Sequence, residues 1–272
     1  MLFVLLATAC SGTEEAPPEG RLVILNGTGD VVVLDRDGSN RVPVSEDAGN
    51  ESGYFQPIWD PSGTTIAVTR VGPGGEPQLV LRDLDAAAAV QVAVPSVAFY
   101  LSWSPDGERI GLLSNGATGL RFDIVDADGE PVDGDIGQPY YFSWEPDGSR
   151  LVAHVGADRL DVRGDADRFA LDNPGAFRAP QWTEDGIVYL RGGETPELVR
   201  ARSDGVTDVL AEVVGGAVFS VSPDGRRVAI QPAGGDQDAV SVAAQAVPRL
   251  PNERLVVLDV SSGEWQRVGD TP

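Results

Sequence analysis

The chain has 272 residues, of which 33 are Gly, 20 are Pro and 42% are hydrophobic, with one Cys, one Met and one His. So many backbone punctuators exclude a fold of long helices, yet the length suffices for a buried core; the single Cys and His exclude a disulfide framework, a Cys/His zinc site and the usual His-based triads. Acidic residues outnumber basic ones 42 to 20, giving a net charge of −22, and every basic residue is Arg, so nucleic acid and anionic membrane surfaces are poor partners.

Residues 1–10 read MLFVLLATAC: an apolar run from Leu2 to Leu6, the small residues Ala7, Thr8 and Ala9, then Cys10. The run is too short to span a bilayer. It resembles the end of a bacterial lipoprotein signal peptide, in which small residues precede a Cys that is lipidated and becomes the new N-terminus. That resemblance implies lipid on Cys10, and two or more acyl chains would hold the protein at a membrane without a transmembrane helix. The other reading of the run is a buried strand ending in a structural Cys. Met1 sits directly on the apolar segment, so a start codon upstream is expected. Residues 11–20, SGTEEAPPEG, carry three Glu and two adjacent Pro without apolar periodicity, as a flexible tether does.

From residue 21 the pattern is of strands. RLVILN, GDVVVLD and RVPVS give three without a leading inner strand, an incomplete unit at about 20–46. Five copies of one motif follow: WDPSG at Trp59, WSPDG at Trp103, WEPDG at Trp144, WTEDG at Trp182 and VSPDG at Val221, at steps of 44, 41, 38 and 39 residues. In this motif Pro presets φ, Ser or Asp caps the turn, and Gly accepts a positive φ, so each copy reads as a turn between two strands. A second hairpin in each unit, as in LRFDIVDADGEPV, joins the third strand to the fourth. The spacing predicts an all-β fold, a β-propeller of six four-stranded blades with an incomplete first blade, as a single domain over 21–272. One further apolar stretch, AVSVAAQAV at 239–247, is the only spare strand for blade one.

The W-S-P-D-G turn followed by an apolar strand and a V-x-D-x-D-G hairpin resembles the TolB-type propeller repeat of bacterial envelope proteins. The resemblance implies an extracytoplasmic address at the cell envelope, reached here through the lipid anchor alone.

Trp59, Trp103, Trp144 and Trp182 are expected in blade-to-blade packing, and Asp106, Asp147, Asp185 and Asp224 as turn caps. Asp35-Arg36-Asp37-Gly38 and Asp126-Ala127-Asp128-Gly129 echo the opening of calcium loops but lack the third acidic ligand and the distal Glu, so they read as hairpin turns and no metal or cofactor is expected. His154 reads as an ordinary strand residue. No nucleophile elbow and no phosphate-binding loop occurs. The motif turns and D-x-D-G hairpins should share one face of the disc. The opposite face should carry the longer links, including 45–55, 70–78 and 232–253, and there a partner would bind. Tyr54, Tyr100, Tyr140 and Tyr141, with Phe55, Phe99 and Phe177, lie at strand starts entering from that face; they either ring the channel mouth or fill the inter-blade core. The function expected is that of a membrane-tethered, monomeric binding or scaffold module for an envelope protein or glycan. The alternative is a propeller enzyme acting on glycans or lactones with carboxylate and metal chemistry.

Overall fold

The computed structural model describes residues 20–49, 52–156, 159–164, 168–171, 179–203, 205–213, 217–222, 224–232 and 255–268. Cys10, the tether, Phe177 and the 239–247 stretch lie outside them. The described residues form 23 strands and no helix.

Six antiparallel sheets follow one another along the chain. Blade one has β1 (Arg21–Leu25), β2 (Val31–Asp35) and β3 (Val42–Pro43); blade two has β4 (Gly53–Trp59), β5 (Thr65–Val71), β6 (Pro77–Asp83) and β7 (Val90–Ala93). Blade three has β8 (Ala98–Trp103), β9 (Arg109–Asn115), β10 (Leu120–Asp126) and β11 (Pro131–Gly137); blade four has β12 (Tyr140–Trp144), β13 (Leu151–Val155), β14 (Arg159–Arg163) and β15 (Arg168–Ala170). Blade five has β16 (Gln181–Thr183), β17 (Gly186–Arg191), β18 (Glu197–Ala201) and β19 (Thr207–Glu212); blade six has β20 (Ala217–Val221), β21 (Arg227–Pro232), β22 (Val256–Asp259) and β23 (Trp265–Arg267). This is the six-bladed propeller that the repeat predicts, with three strands described in the first blade.

The motif turns form as their residues dictate. In blade three the Arg109 N–H donates to Ser104 Oγ at 2.9 Å, the Glu108 N–H donates to Asp106 Oδ1 at 3.1 Å, and Gly107 takes φ +77°. Ser222, Asp224 and Gly225 repeat this in blade six, with Arg227 N–H to Ser222 Oγ at 2.9 Å and φ +69° at the Gly. Asp60 stands in for Ser in blade two, its Oδ1 accepting from Thr64 and Thr65 N–H at 2.9 and 2.7 Å. The motif carboxylates of Asp106 and Asp224 are thus turn caps.

Among the described residues blade one is the same unit without its first strand. In blades two, three and six, the N–H of Leu84, Ala127 and Val260 in the second hairpin donates to the C=O of Thr64, Glu108 and Arg226, the residue just before the second strand. In blade one the Arg36 N–H makes this bond to the Gly20 C=O at 3.1 Å. Arg21 is therefore the counterpart of Thr65, Arg109 and Arg227, and β1 corresponds to a second strand.

Second strands are apolar on both faces because they lie between neighbouring blades. β9 and β13 are buried nearly end to end, with Ile110, Val152 and Ala153 fully covered. Five apolar clusters fill the gaps between consecutive blades: Val31 with Val68 and Val80, Leu79 with Leu101 and Ile110, Phe122 with Phe142 and Leu151, Val162 with Tyr189 and Val199, and Leu198 with Ile230 and Leu258. Each fully buried aliphatic or Phe side chain contributes about 1.5–3 kcal/mol.

Trp103 and Trp144 pack into these clusters, 9% and 7% exposed, as the repeat implies. Polar contacts join the inner strands: the Trp144 Nε1–H donates to the Ser102 C=O at 3.2 Å, the Trp182 N–H to Ser143 Oγ at 3.0 Å, and the Val221 N–H to Gln181 Oε1 at 2.8 Å. A guanidinium from the preceding blade also lies over the motif ring, Arg21 on Trp59 at 5.0 Å, Arg109 on Trp144 at 5.7 Å and Arg150 on Trp182 at 5.1 Å. Replacing Trp103 by Ala should cost about 3–5 kcal/mol in urea denaturation, the range for a buried aromatic; a loss below about 1 kcal/mol would place the ring outside the core.

Candidate functional site

The two faces of the disc differ as the turn pattern implies. The blade-one hairpin at Asp35 and Asp37 and the blade-two turn at Pro61 and Ser62 line one cleft of about 860 Å³, so both hairpin classes share a face. A second cleft there, about 470 Å³, lies beside Trp182, Glu184 and Arg202, where the blade-five turn is two residues shorter than the others.

At the opposite end, the inner strands place side chains by register. Trp59, Trp103, Trp144 and Val221 pair with Ile66, Ile110, Leu151 and Val228. Three residues beyond each of these partners stand Thr69, Leu113, His154 and Gln231, which pair with Phe55, Tyr100, Tyr141 and Val218. These four are equivalent positions, and all are exposed, at 43%, 46%, 41% and 56%. Phe99, displaced by the irregularity between Ala98 and Tyr100, adds a further ring that is 43% exposed. The inner strands of blades two, three, four and six thus present an apolar, largely aromatic rim on this face.

The four tyrosines that the sequence puts either at the channel mouth or in the inter-blade core separate into three groups. Tyr100 and Tyr141 belong to it, and Tyr100 also meets Phe142 edge-on at 5.6 Å. Tyr140 does not: it is 1% exposed and stacks on Phe122 at 4.9 Å between blades three and four, because adjacent strand residues point to opposite faces. Burial pushes its phenol well up from the ordinary value. Tyr54 is half-buried, its hydroxyl donating to Asp47 at 2.5 Å and accepting from Arg70 Nε at 3.2 Å, while Arg70 Nη2 donates to Asp47 at 2.6 Å. The Tyr54 and Arg70 bonds hold the Asp47 carboxyl below its ordinary value. This network borders a 300 Å³ cavity between blades one and two and fixes the loop before β4. Phe55 takes the rim position in blade two because a bulge between Phe55 and Ile58, with Gln56 at φ +56°, shifts the register.

Beside Tyr140 lies a charged cluster that the sequence analysis did not single out. In β11 the usual pattern is inverted: Val132 and Ile136 are exposed, 46% and 52%, while Asp133 and Asp135 turn toward blade four. There Arg163, its side chain 3% exposed, pairs with Asp135 and lies 3.5 Å from Asp161, and Arg159 meets Asp135 at 2.5 Å. Asp133 and Asp135 also accept the N–H groups of Gly134 and Ile136 respectively, both at 2.8 Å. Burial raises the Asp135 pKa, but the bonds from Arg163 and Ile136 N–H and the charges of Arg163 and Arg159 outweigh it, so the carboxyl titrates below 3.8. His154 is buried in the gap facing blade five, in agreement with its reading as a strand residue. Among the described residues no group of three acidic, His or Cys side chains is placed to hold a metal.

No family model matches the sequence, and no curated protein matches it. Solved structures do match. The chain is similar to dipeptidyl peptidase 4 of Porphyromonas gingivalis, at 8% identity and a TM-score of 0.64, over 89% of this chain and 43% of that one. It is similar to the Cps50 (Swd1) β-propeller domain of Myceliophteria thermophila, at 12% identity and a TM-score of 0.54, over 93% and 83% of the two chains. TolB from Acinetobacter baumannii matches at 16% identity and a TM-score of 0.46, over 90% of this chain and 62% of that one. The chain thus spans less than two thirds of that TolB and less than half of the peptidase. At these identities the likenesses to the peptidase and to the Cps50 domain establish the propeller fold alone.

The charged cluster is testable through acid. Because the folded pKa of Asp135 is depressed, its contribution is present above 3.8, the unperturbed value, and is lost as pH falls through the lower folded value. Asp135→Ala should therefore destabilise by about 3 kcal/mol at neutral pH, by leaving Arg163 buried with one partner fewer. The deficit should shrink in denaturation curves taken as pH falls below 3.8 and through the lower value at which the folded parent also loses the charge; a constant deficit would contradict the assignment.

Proposed function

We propose that this chain is a binding module of the bacterial cell envelope, carried outside the cytoplasm by lipid on Cys10, whose propeller docks a protein or glycan partner on its aromatic face. It is a scaffold, without catalytic chemistry of its own. The observation that carries the reading is the set of equivalent exposed side chains Phe55, Tyr100, Tyr141 and Val218 on four inner strands. Large rings left in water at one register cost solubility, and a rigid apolar patch with polar tips suits partner contact. The acidic character of the whole chain favours a neutral or basic partner and disfavours nucleic acid.

Photocrosslinking in envelope fractions tests the face. A photoreactive residue in place of Tyr141 should capture one defined envelope component, and the same residue in place of Asp128 on the motif-turn face should not. Tyr100→Ala should then weaken that complex by about 2 kcal/mol, as a contact hot spot does, while changing stability by about 0.5 kcal/mol. Crosslinks from Asp128 alone would put the partner on the wrong face for this account. The anchor is tested separately: Cys10→Ser should move the protein from membrane to soluble fractions, and unchanged membrane association would remove the lipid.

A further inference from the structure

Asn-Gly occurs twice in the chain, at Asn26-Gly27 and at Asn115-Gly116. Glycine has no Cβ to crowd its amide nitrogen, so in this dipeptide that nitrogen can close on the Asn side chain to a cyclic imide. The structure sets the two copies up differently. Asn26 begins the turn from β1 to β2, where its N–H donates to the Asp30 C=O at 2.9 Å and the Gly29 N–H donates to the Asn26 C=O at 3.0 Å. Asn26 Oδ1 accepts the N–H groups of Thr28 and Asp30, both at 2.9 Å, and the Thr28 hydroxyl stands 2.7 Å from the same oxygen and 2.8 Å from Asp30 Oδ2. Backbone donors converging on one carbonyl oxygen draw electrons from Cγ and strengthen as negative charge gathers there, as in an oxyanion hole. Gly27 is exposed with open space about it, and among the described residues its N–H makes no hydrogen bond. At the second copy the Gly116 N–H is held by the Gly119 C=O at 2.8 Å, and among the described residues no donor reaches the Asn115 side chain.

We propose that Asn26 is a self-modification site, which closes on Gly27 and opens to aspartate or isoaspartate, releasing the loop that leads into β4. The Gly27 nitrogen bonds to Cγ and gives its proton to water, the Cγ–Nδ2 bond breaks, and the amide leaves as ammonia. Water then opens the imide at either carbonyl, to an aspartyl residue or to isoaspartate, in which the main chain runs through Cβ and Cγ. No electrons are transferred.

The effect reaches beyond the turn. Asp30 Oδ1 accepts from the Ala48 N–H at 2.9 Å and from Ser45 Oγ at 3.2 Å, which ties the loop before β4 to this hairpin. The Ala48 and Thr28 bonds hold the Asp30 carboxyl below its ordinary value, so either product sets a second negative charge beside an ionised one. In isoaspartate the carbonyl that accepted from Gly29 becomes part of the free carboxylate, and the turn loses its register. β1 leaves the motif-turn face at Gly20 and Arg21, so this hairpin end and the 45–48 segment lie on the face that carries the aromatic rim.

Peptide mapping by mass spectrometry of the full chain, aged in mildly alkaline buffer, tests the site. Asn26 should convert about tenfold faster than Asn115 in the folded chain, and the two should convert at equal rates in guanidinium chloride, where Asn26 should also be slower than in the folded chain by about three- to tenfold. Conversion of Asn26 that is equal or slower on folding would overturn the proposal, because the bonds to Oδ1 would then hold the amide in place and not activate it. In the converted fraction the Ala48 amide should exchange with solvent about tenfold faster than in fresh protein, and ageing an Asn26→Gln variant, whose longer side chain does not form this ring, should leave Ala48 as it was. Unaltered Ala48 exchange in the converted fraction, or the same rise in the aged Asn26→Gln chain, would overturn the release of the loop.

Discussion

A sheet that is apolar on both faces cannot stand alone in water. Every blade of this chain depends on the one beside it, and that dependence explains both what is regular in the molecule and what is not. The second strands, covered on each side, carry unbroken buried runs such as LVAHV and GIVYL. The motif tryptophans sit where inner strands of consecutive blades meet, and in three gaps an Arg from the preceding blade closes over the ring. An Arg serves this position well because its flat guanidinium stacks on an indole while its N–H groups reach the neighbouring turn, as Arg109 does at the C=O of Gly148 and Ser149. β1 is less covered than the other second strands: Leu22, Ile24 and Leu25 are 46%, 37% and 38% exposed.

Much of this architecture was legible in the sequence. Turn chemistry is local, so Pro, Asp and Gly at fixed offsets announced each hairpin, their period announced the blade, and the want of an inner-strand pattern just before Arg21 announced a first blade with three described strands. What could not be read depends on register. Their place at strand starts grouped Tyr54 and Tyr140 with Tyr100 and Tyr141, at the channel mouth or in the inter-blade core, but a bulge near Gln56 puts Phe55 at the rim, and strand alternation turns Tyr140 into the core. The pairing of Asp135 with Arg163 joins residues 28 apart on different blades, and the inverted pattern of β11 was its one local trace.

These packing demands also leave the disc asymmetric in a way that bears on function. The motif-turn face is built from short capped turns whose polar groups satisfy one another, as Asp259 does with Ser261 and Ser262, so that its carboxyl is pulled down to about 2 by those hydrogen bonds. The opposite face leaves rings exposed on strands that the core holds rigid. A surface of that kind pays little entropy on binding, because the side chains are fixed before a partner arrives.

The central claim is that contacts between consecutive blades, the Arg–Trp contact among them, hold the disc together. A double-mutant cycle on Arg109 and Trp144, read by equilibrium urea denaturation of Arg109→Ala, Trp144→Ala and the double variant, measures that coupling directly. The account predicts a coupling energy of about 0.5–2 kcal/mol, the range for a cation over an indole ring from exposed to desolvated. Strictly additive losses would mean that Arg109 and Trp144 act independently, and would contradict it.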